Sequence, residues 1–177
     1  MSDPIHVIQT EQELPISVNE AWEFFSTPRN LEKLTPSNLK FKIITCSHES
    51  MIEGQIISYK IRLMPFVWMN WVTEIKQVKE NSHFIDDQRS GPYKIWHHRH
   101  TFTETQNGVL MKDEVHYLLP FGWIGKIVHA LIVKSQLKGI FDYRYRMLEE
   151  MFSSKGMSKK SDQVDETLNN VISSTEV

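Results

Sequence analysis

Polar and apolar residues alternate over residues 5–14, where Ile8, Thr10, Gln12 and Leu14 share one face. A period of two predicts a strand. In "SVNEAWEFFS" the period changes. Ser17 and Glu20 stand at capping-box spacing, and Ala21, Phe24 and Phe25 supply an apolar side, so a short helix is predicted. In "TPRNLEKL", Thr27 suits the cap and Pro28 the first turn of a second short helix, which "TPSN" breaks.

From residue 41 the period returns to two. Strands are predicted over residues 41–46, 54–63, 68–78, 83–88, 95–105 and 109–118. The breaks between them, "ESMIEG", "MPF", "KENS", "SGP" and "QNG", carry turn chemistry. Short links between long strands predict an antiparallel meander.

After "LPFG" the spacing becomes three and four. Ile124, Ile127, Val128, Leu131, Ile132, Ile140, Phe141, Leu148, Met151 and Phe152 mark the apolar side of a long helix reaching residue 152. The pattern weakens over residues 135–139, where Gly139 predicts a bend or close packing. Residues 153–177 are polar and read as a flexible tail, with a weak helix over 165–172. The domain expected is residues 1–152.

The order is strand, two short helices, six strands, long helix. That predicts an α+β fold: a seven-stranded curved antiparallel sheet wrapped around the C-terminal helix. A curved sheet cannot press flat on a straight helix, so a cavity between them is expected.

Alternation then assigns faces. In "GPYKIWHHRHTF", Trp96, His98, His100 and Phe102 point one way, and His97, Arg99 and Thr101 the other. The aromatic set belongs inside, which leaves His97 to water. The neighbouring strands place Phe84, Asp86 and Gln88 together, and Met111, Asp113, Val115 and Tyr117 together. Asp86, Gln88, His98, His100 and Asp113 thus form the expected polar part of the cavity. Tyr59, Trp71, Phe84, Trp96, Phe102, Met111 and Tyr117 form its apolar part, with Ile61, Leu63, Thr73 and Ile75 nearby.

Burying these polar groups alone costs several kcal/mol, so they need partners. Three readings follow: a satisfied internal network, a set that orients a ligand, or a metal site. Two histidines at i and i+2 can share a metal and an aspartate can help. Metal ranks last because there is no HExxH or paired-cysteine pattern, and no metal is expected. "YRYRMLEEMF" reads as an amphipathic helix with its charged side in water. No phosphate loop, serine elbow or Cys–His pairing stands out, and no catalytic residue is assigned.

Composition adds exclusions. A chain of 177 residues suits one domain. Net charge of −2 does not suit a nucleic-acid binder. Cys46 is the single cysteine, so no internal disulfide forms, which fits a reducing compartment. The N-terminal stretch has neither the basic start nor the apolar run of a signal peptide, and no apolar stretch spans a membrane. A cytoplasmic location without stable membrane insertion is expected. The oligomeric state is left open.

With the element order, "DDQRSGPYKIWHHRHTF", "GVLMKDEVHYLLPFG" and "LKGIFDYRYRMLEEMF" resemble the SRPBCC superfamily, the START-like or birch-pollen-allergen-like helix-grip fold. The similarity is to bacterial ligand-binding members resembling polyketide cyclase/dehydrase and lipid-transport domains, over residues 5–152. Some such relatives are fused to an epimerase-like domain in proteins labelled cell-division inhibitors, a domain this chain is expected to lack. The resemblance implies a carrier or sensor of a small hydrophobic ligand such as a lipid, isoprenoid or polyketide-like molecule, and no cofactor is expected. It leaves room for a cyclase or dehydratase using cavity His and Asp, or for an interaction module, because the fold hosts many activities.

Overall fold

The computed structural model describes residues 5–64 and 67–173, and of these the side chains of all but Met64, Lys126 and residues 154–173. Strand β1 is His6–Leu14 and helix α1 is Val18–Phe25. Ser17 caps α1. Its hydroxyl accepts the Glu20 N–H, and the Glu20 carboxylate accepts the Ser17 N–H, completing the capping box. The second predicted helix is a short 3-10 turn, Pro28–Glu32, and a separate 3-10 turn, Ser37–Leu39, follows with Pro36 at its cap, inside the predicted break.

The meander follows as β2 Lys42–Cys46, β3 Ile56–Met64, β4 Val67–Lys79, β5 His83–Ser90, β6 Ile95–Thr105 and β7 Gly108–Leu118. The "MPF" turn falls on residues 65 and 66, outside the described residues. Asn81 turns the chain between β4 and β5 with φ 57°. Gly108 turns it between β6 and β7 with φ 148°, where a Cβ would overlap the Leu14 carbonyl.

The seven strands form one antiparallel sheet in the order β1-β7-β6-β5-β4-β3-β2. Helix α2 is Gly122–Val128, a π-helical turn spans His129–Val133, and α3 is Lys134–Ser173. Gln12 Nε2 on edge strand β1 donates to the Tyr145 carbonyl of α3 at 3.0 Å. Gln136 Nε2 of α3 donates to the Leu63 carbonyl of β3 at 2.5 Å, beside the opposite edge. The sheet therefore bends around the helix and grips it from both sides. The expected α+β helix-grip architecture is the one observed.

The helix differs from expectation in four respects, the first being that its backbone continues to Ser173, past the expected end at residue 152. Its buried side chains are Val133, Leu137, Phe141, Arg144, Leu148 and Phe152, spaced four, four, three, four and four apart. Arg144, expected in water, lies in that stripe. Ile124, Ile127, Val128, Leu131 and Ile132, expected on the apolar side, are exposed, beside exposed Phe121 and Trp123. The π turn, not Gly139, interrupts the regular helix, and it displaces the apolar phase of α2 from that of α3. A Cβ on Gly139 would meet nothing within 4 Å, so that glycine serves no close packing.

Two apolar clusters hold the fold. One gathers α1, Leu34, Met51 and the inner faces of β3 to β7 against Leu148 and Phe152. The other joins Tyr93, Val115 and Tyr117 to Val133, Leu137 and Phe141, and Trp71 packs against both. The expected separate tail begins at residue 153. The packing of its side chains lies outside the described residues.

Candidate functional site

Adjacent strands bring the polar residues together through register. Asp86 of β5 pairs with His98 of β6, and Phe84 with His100. His100 in turn pairs with Asp113 of β7. Both histidines are 5% exposed, as is Asp113, while Asp86 is half-buried.

The two carboxylates clamp the two imidazoles. Asp113 Oδ1 lies 3.0 Å from His98 Nε2 and 2.7 Å from His100 Nδ1. Asp86 Oδ2 lies 3.4 Å from His98 Nδ1 and 3.2 Å from His100 Nε2. Each ring is thus held between a β5 carboxylate and a β7 carboxylate. The 2.7 Å contact is short but lacks hydrogen-bond directionality, so His100 Nδ1 is a buried atom without a true partner. The rings lie 3.8 Å apart, and Phe84 stacks on His100 at 4.3 Å.

Arg144 completes the group from α3. Its Nη1 is 3.7 Å from Asp113 Oδ2, and its guanidinium lies 5.6 Å from the Phe25 ring centre. Its Nε has no partner. Burial alone would push the Asp113 carboxyl up, but Arg144 and the two histidines hold it well below the usual range. Asp86 is also depressed: burial opposes its charge, and His98 and His100 outweigh burial. Burial pushes His98 down, yet Asp86 and Asp113 raise it to about 9. The two carboxylates thus favour the charged form of the His98 imidazole.

A cavity of about 150 Å³ opens against this group, between the sheet and α3. Its polar wall contains Asp86, His98, His100, Arg144 and Thr73. Tyr59, Ile61, Leu63, Trp71, Phe84 and Trp96 line it as strand residues, and Phe24, Tyr93, Leu137 and Phe141 join them from elsewhere. The other expected site residues stand away from it. Gln88 pins the turn after β5: its Nε2 donates to the Tyr93 carbonyl at 2.6 Å and its Oε1 accepts the Tyr93 N–H at 3.3 Å. Phe102 packs among Trp22, Phe25 and Phe84. Met111 and Asp113 line a second cavity of about 90 Å³ on the other side of Arg144. The Tyr117 hydroxyl bonds His129 Nε2 at 2.7 Å, and Ile75 is core.

His97 sits on the outer face, as its parity requires. It is not free in water: Nδ1 lies 2.6 Å from Asp87 Oδ1, and Lys76 takes the other Asp87 oxygen at 2.8 Å.

Arg144 is a charged cavity-wall residue that reading the chain missed. A signal was present. Position 144 falls three after Phe141 and four before Leu148, on the buried stripe of the helix.

No family model and no curated protein matches the chain in sequence. Solved structures match it in fold. A protein from Thermus thermophilus superposes with a TM-score of 0.61 at 13% identity, over 85% of this chain and 99% of that one. A protein of unknown function from Staphylococcus aureus gives 0.61 at 14% identity, over 84% and 96%. The nucleoside-diphosphate sugar epimerase from Corynebacterium glutamicum gives 0.61 at 24% identity, over 81% of this chain but only 28% of that chain. At these identities the likeness shows the helix-grip fold alone, and no activity passes with it.

Proposed function

We propose that the chain is a ligand-binding domain of SRPBCC type that carries or senses a small hydrophobic molecule. One observation carries this reading: an apolar cavity between sheet and α3 with a cluster of buried polar groups on one wall. Trp71, Trp96 and Phe84 offer ring faces to an apolar body, and Asp86, His98, His100 and Arg144 offer charge and hydrogen bonds to a polar head. An apolar cavity of about 150 Å³ accepts a benzene-sized group. A lipid-length ligand therefore requires the cavity to widen. The fold likeness to bacterial helix-grip proteins supports the family reading.

The test is titration with a fluorescent apolar probe such as anilinonaphthalene sulfonate, read by quenching of tryptophan emission. Binding at about one site per chain, weakened at least fivefold by Trp96→Ala and by the cavity-filling Leu137→Trp, supports the reading. Binding that both variants leave unchanged rejects the cavity as its site.

A second reading is acid–base catalysis on an enolisable substrate, as in a cyclase or dehydratase. It draws on the imidazoles and carboxylate at the cavity wall. Turnover abolished by His100→Ala, with probe binding retained, favours it over a carrier. An interaction module is a third reading, drawn from the exposed apolar face of α2. It stands behind the others because the interior is not filled.

A further inference from the structure

We propose that Asp86, His98 and His100 form a site for one four-coordinate divalent transition-metal ion of the zinc class, open to the cavity. The donor atoms converge. His98 Nδ1 and His100 Nε2 face the same oxygen, Asp86 Oδ2, at 3.4 and 3.2 Å. One donor atom from each of the three residues falls within 4.8 Å of the others.

The spacing fits an ion better than it fits direct hydrogen bonds. Metal–ligand bonds of about 2.0–2.1 Å in tetrahedral geometry set neighbouring donors about 3.3–3.4 Å apart. The two distances to Asp86 Oδ2 fall close to that edge, whereas a charge-assisted N–H···O bond prefers about 2.7–2.9 Å. The contacts on the far side of the rings, to Asp113 Oδ1, are shorter at 3.0 and 2.7 Å.

Asp113 explains why the free lone pairs aim at Asp86. A carboxylate oxygen accepts and cannot donate, so its 3.0 Å bond favours the tautomer with N–H on His98 Nε2, and its 2.7 Å contact with His100 Nδ1 favours a proton there by charge alone. That leaves His98 Nδ1, His100 Nε2 and Asp86 Oδ2 as three electron-rich atoms facing one another. In such a triangle a metal ion can take the place of the imidazole protons. Arg144, on the other Asp113 oxygen, keeps that orienting group charged. Phe84 stacked on His100 and Trp96 edge-on to His98 fix the ring planes. Two imidazoles and one carboxylate give a borderline donor set, and the tetrahedral spacing suits zinc over magnesium or calcium. All three residues line the cavity, so the remaining coordination position faces the space where a ligand would enter. The site stands independently of the carrier reading, because an ion can bind with the cavity empty.

The experiment uses the full chain, stripped with chelator and titrated with cobalt(II) and zinc(II). One ion per chain is expected by calorimetry and elemental analysis, with Kd in the micromolar range or tighter. Cobalt should show the intense visible absorption of a low-coordinate site, and zinc should bleach it. Asp86→Asn and His98→Gln should each weaken binding at least tenfold, with circular dichroism checking that the variants fold. Absence of binding up to millimolar ion, or affinity that survives both substitutions, overturns the proposal. A weak octahedral cobalt spectrum in the wild-type protein also overturns it, whether or not either variant folds. Apolar-probe titration of the same samples separates this outcome from failure of the carrier reading.

Discussion

Arg144 of α3 and Asp113 of β7 face each other inside the domain, Nη1 to Oδ2 at 3.7 Å, both less than a tenth exposed. The pair joins the helix to the polar cluster of the sheet. Removing the cation alone leaves a carboxylate buried with only the histidines to answer it. Arg144→Met should therefore cost roughly 1–3 kcal/mol in urea unfolding. Arg144→Met with Asp113→Asn should cost less than the sum of the two single changes, because the stranded charge is gone. Additive effects would mean that the 3.7 Å contact carries no coupling.

The pair also marks what the chain disclosed. Period-two patterning was enough to find all seven strands: the inner strands bury one face that a one-residue slip would expose, and edge strand β2, with no fully buried residue, rests on its apolar residues and flanking turns. It separated His97 from His98 and His100 for the same reason. It could not show that Asp113 reaches both imidazoles, since register between strands depends on turns and bulges beyond any single strand. The phase of α2 was illegible for a different reason. Ile124, Ile127, Leu131 and Ile132 keep helical spacing, but the π turn at His129–Val133 decides which way that stripe points. Gln88, Phe102, Met111 and Tyr117 have inward parity, yet distance along the strand places them beyond the cavity wall. Parity gives a face and not a position along it.

Replacing His97 and His100 tests the two faces. The His97 side chain is 42% exposed and rests on Asp87, which keeps Lys76 as a second partner. His97→Gln should change stability by less than about 0.5 kcal/mol. His100 is buried, stacked on Phe84 and held by two carboxylates. His100→Ala should cost roughly 1–3 kcal/mol. Paired denaturation curves decide, and equal effects would contradict the inward placement of His100.

Acid should weaken the contact between β1, β7 and the π turn. His129 stacks on His6 at 3.6 Å and bonds the Tyr117 hydroxyl, with Lys134 near. Burial, then His6 and Lys134, lowers its pKa below the usual 6.5. A histidine with a depressed folded pKa disfavours its charged form in the fold. Its contribution is fully present above about pH 6.5 and is lost as pH falls through the folded value. Melting temperature should accordingly drop between about pH 7 and 5, and His129→Gln should flatten that part of the profile. An unchanged acid slope in the variant would assign it to other groups.

The exposed apolar face supplies the last expectation. Trp123 is 71% exposed and Leu131 74%, so neither contributes much to the core. Their burial against another surface would be favourable by about 25 cal/mol for each Å² of apolar area covered. Trp123→Ser with Leu131→Ser should leave the unfolding free energy of dilute protein within about 0.5 kcal/mol per site. The same change should reduce association at high concentration, measured by sedimentation, because the patch is lost. A different pattern would tell against an open face. If the double variant is strongly destabilised, and wild-type stability rises with protein concentration, then the face is covered by a second copy in solution. Stability and oligomeric state would be linked by mass action. Strong destabilisation without concentration dependence would instead place both side chains inside the folded monomer, contrary to the exposure of α2.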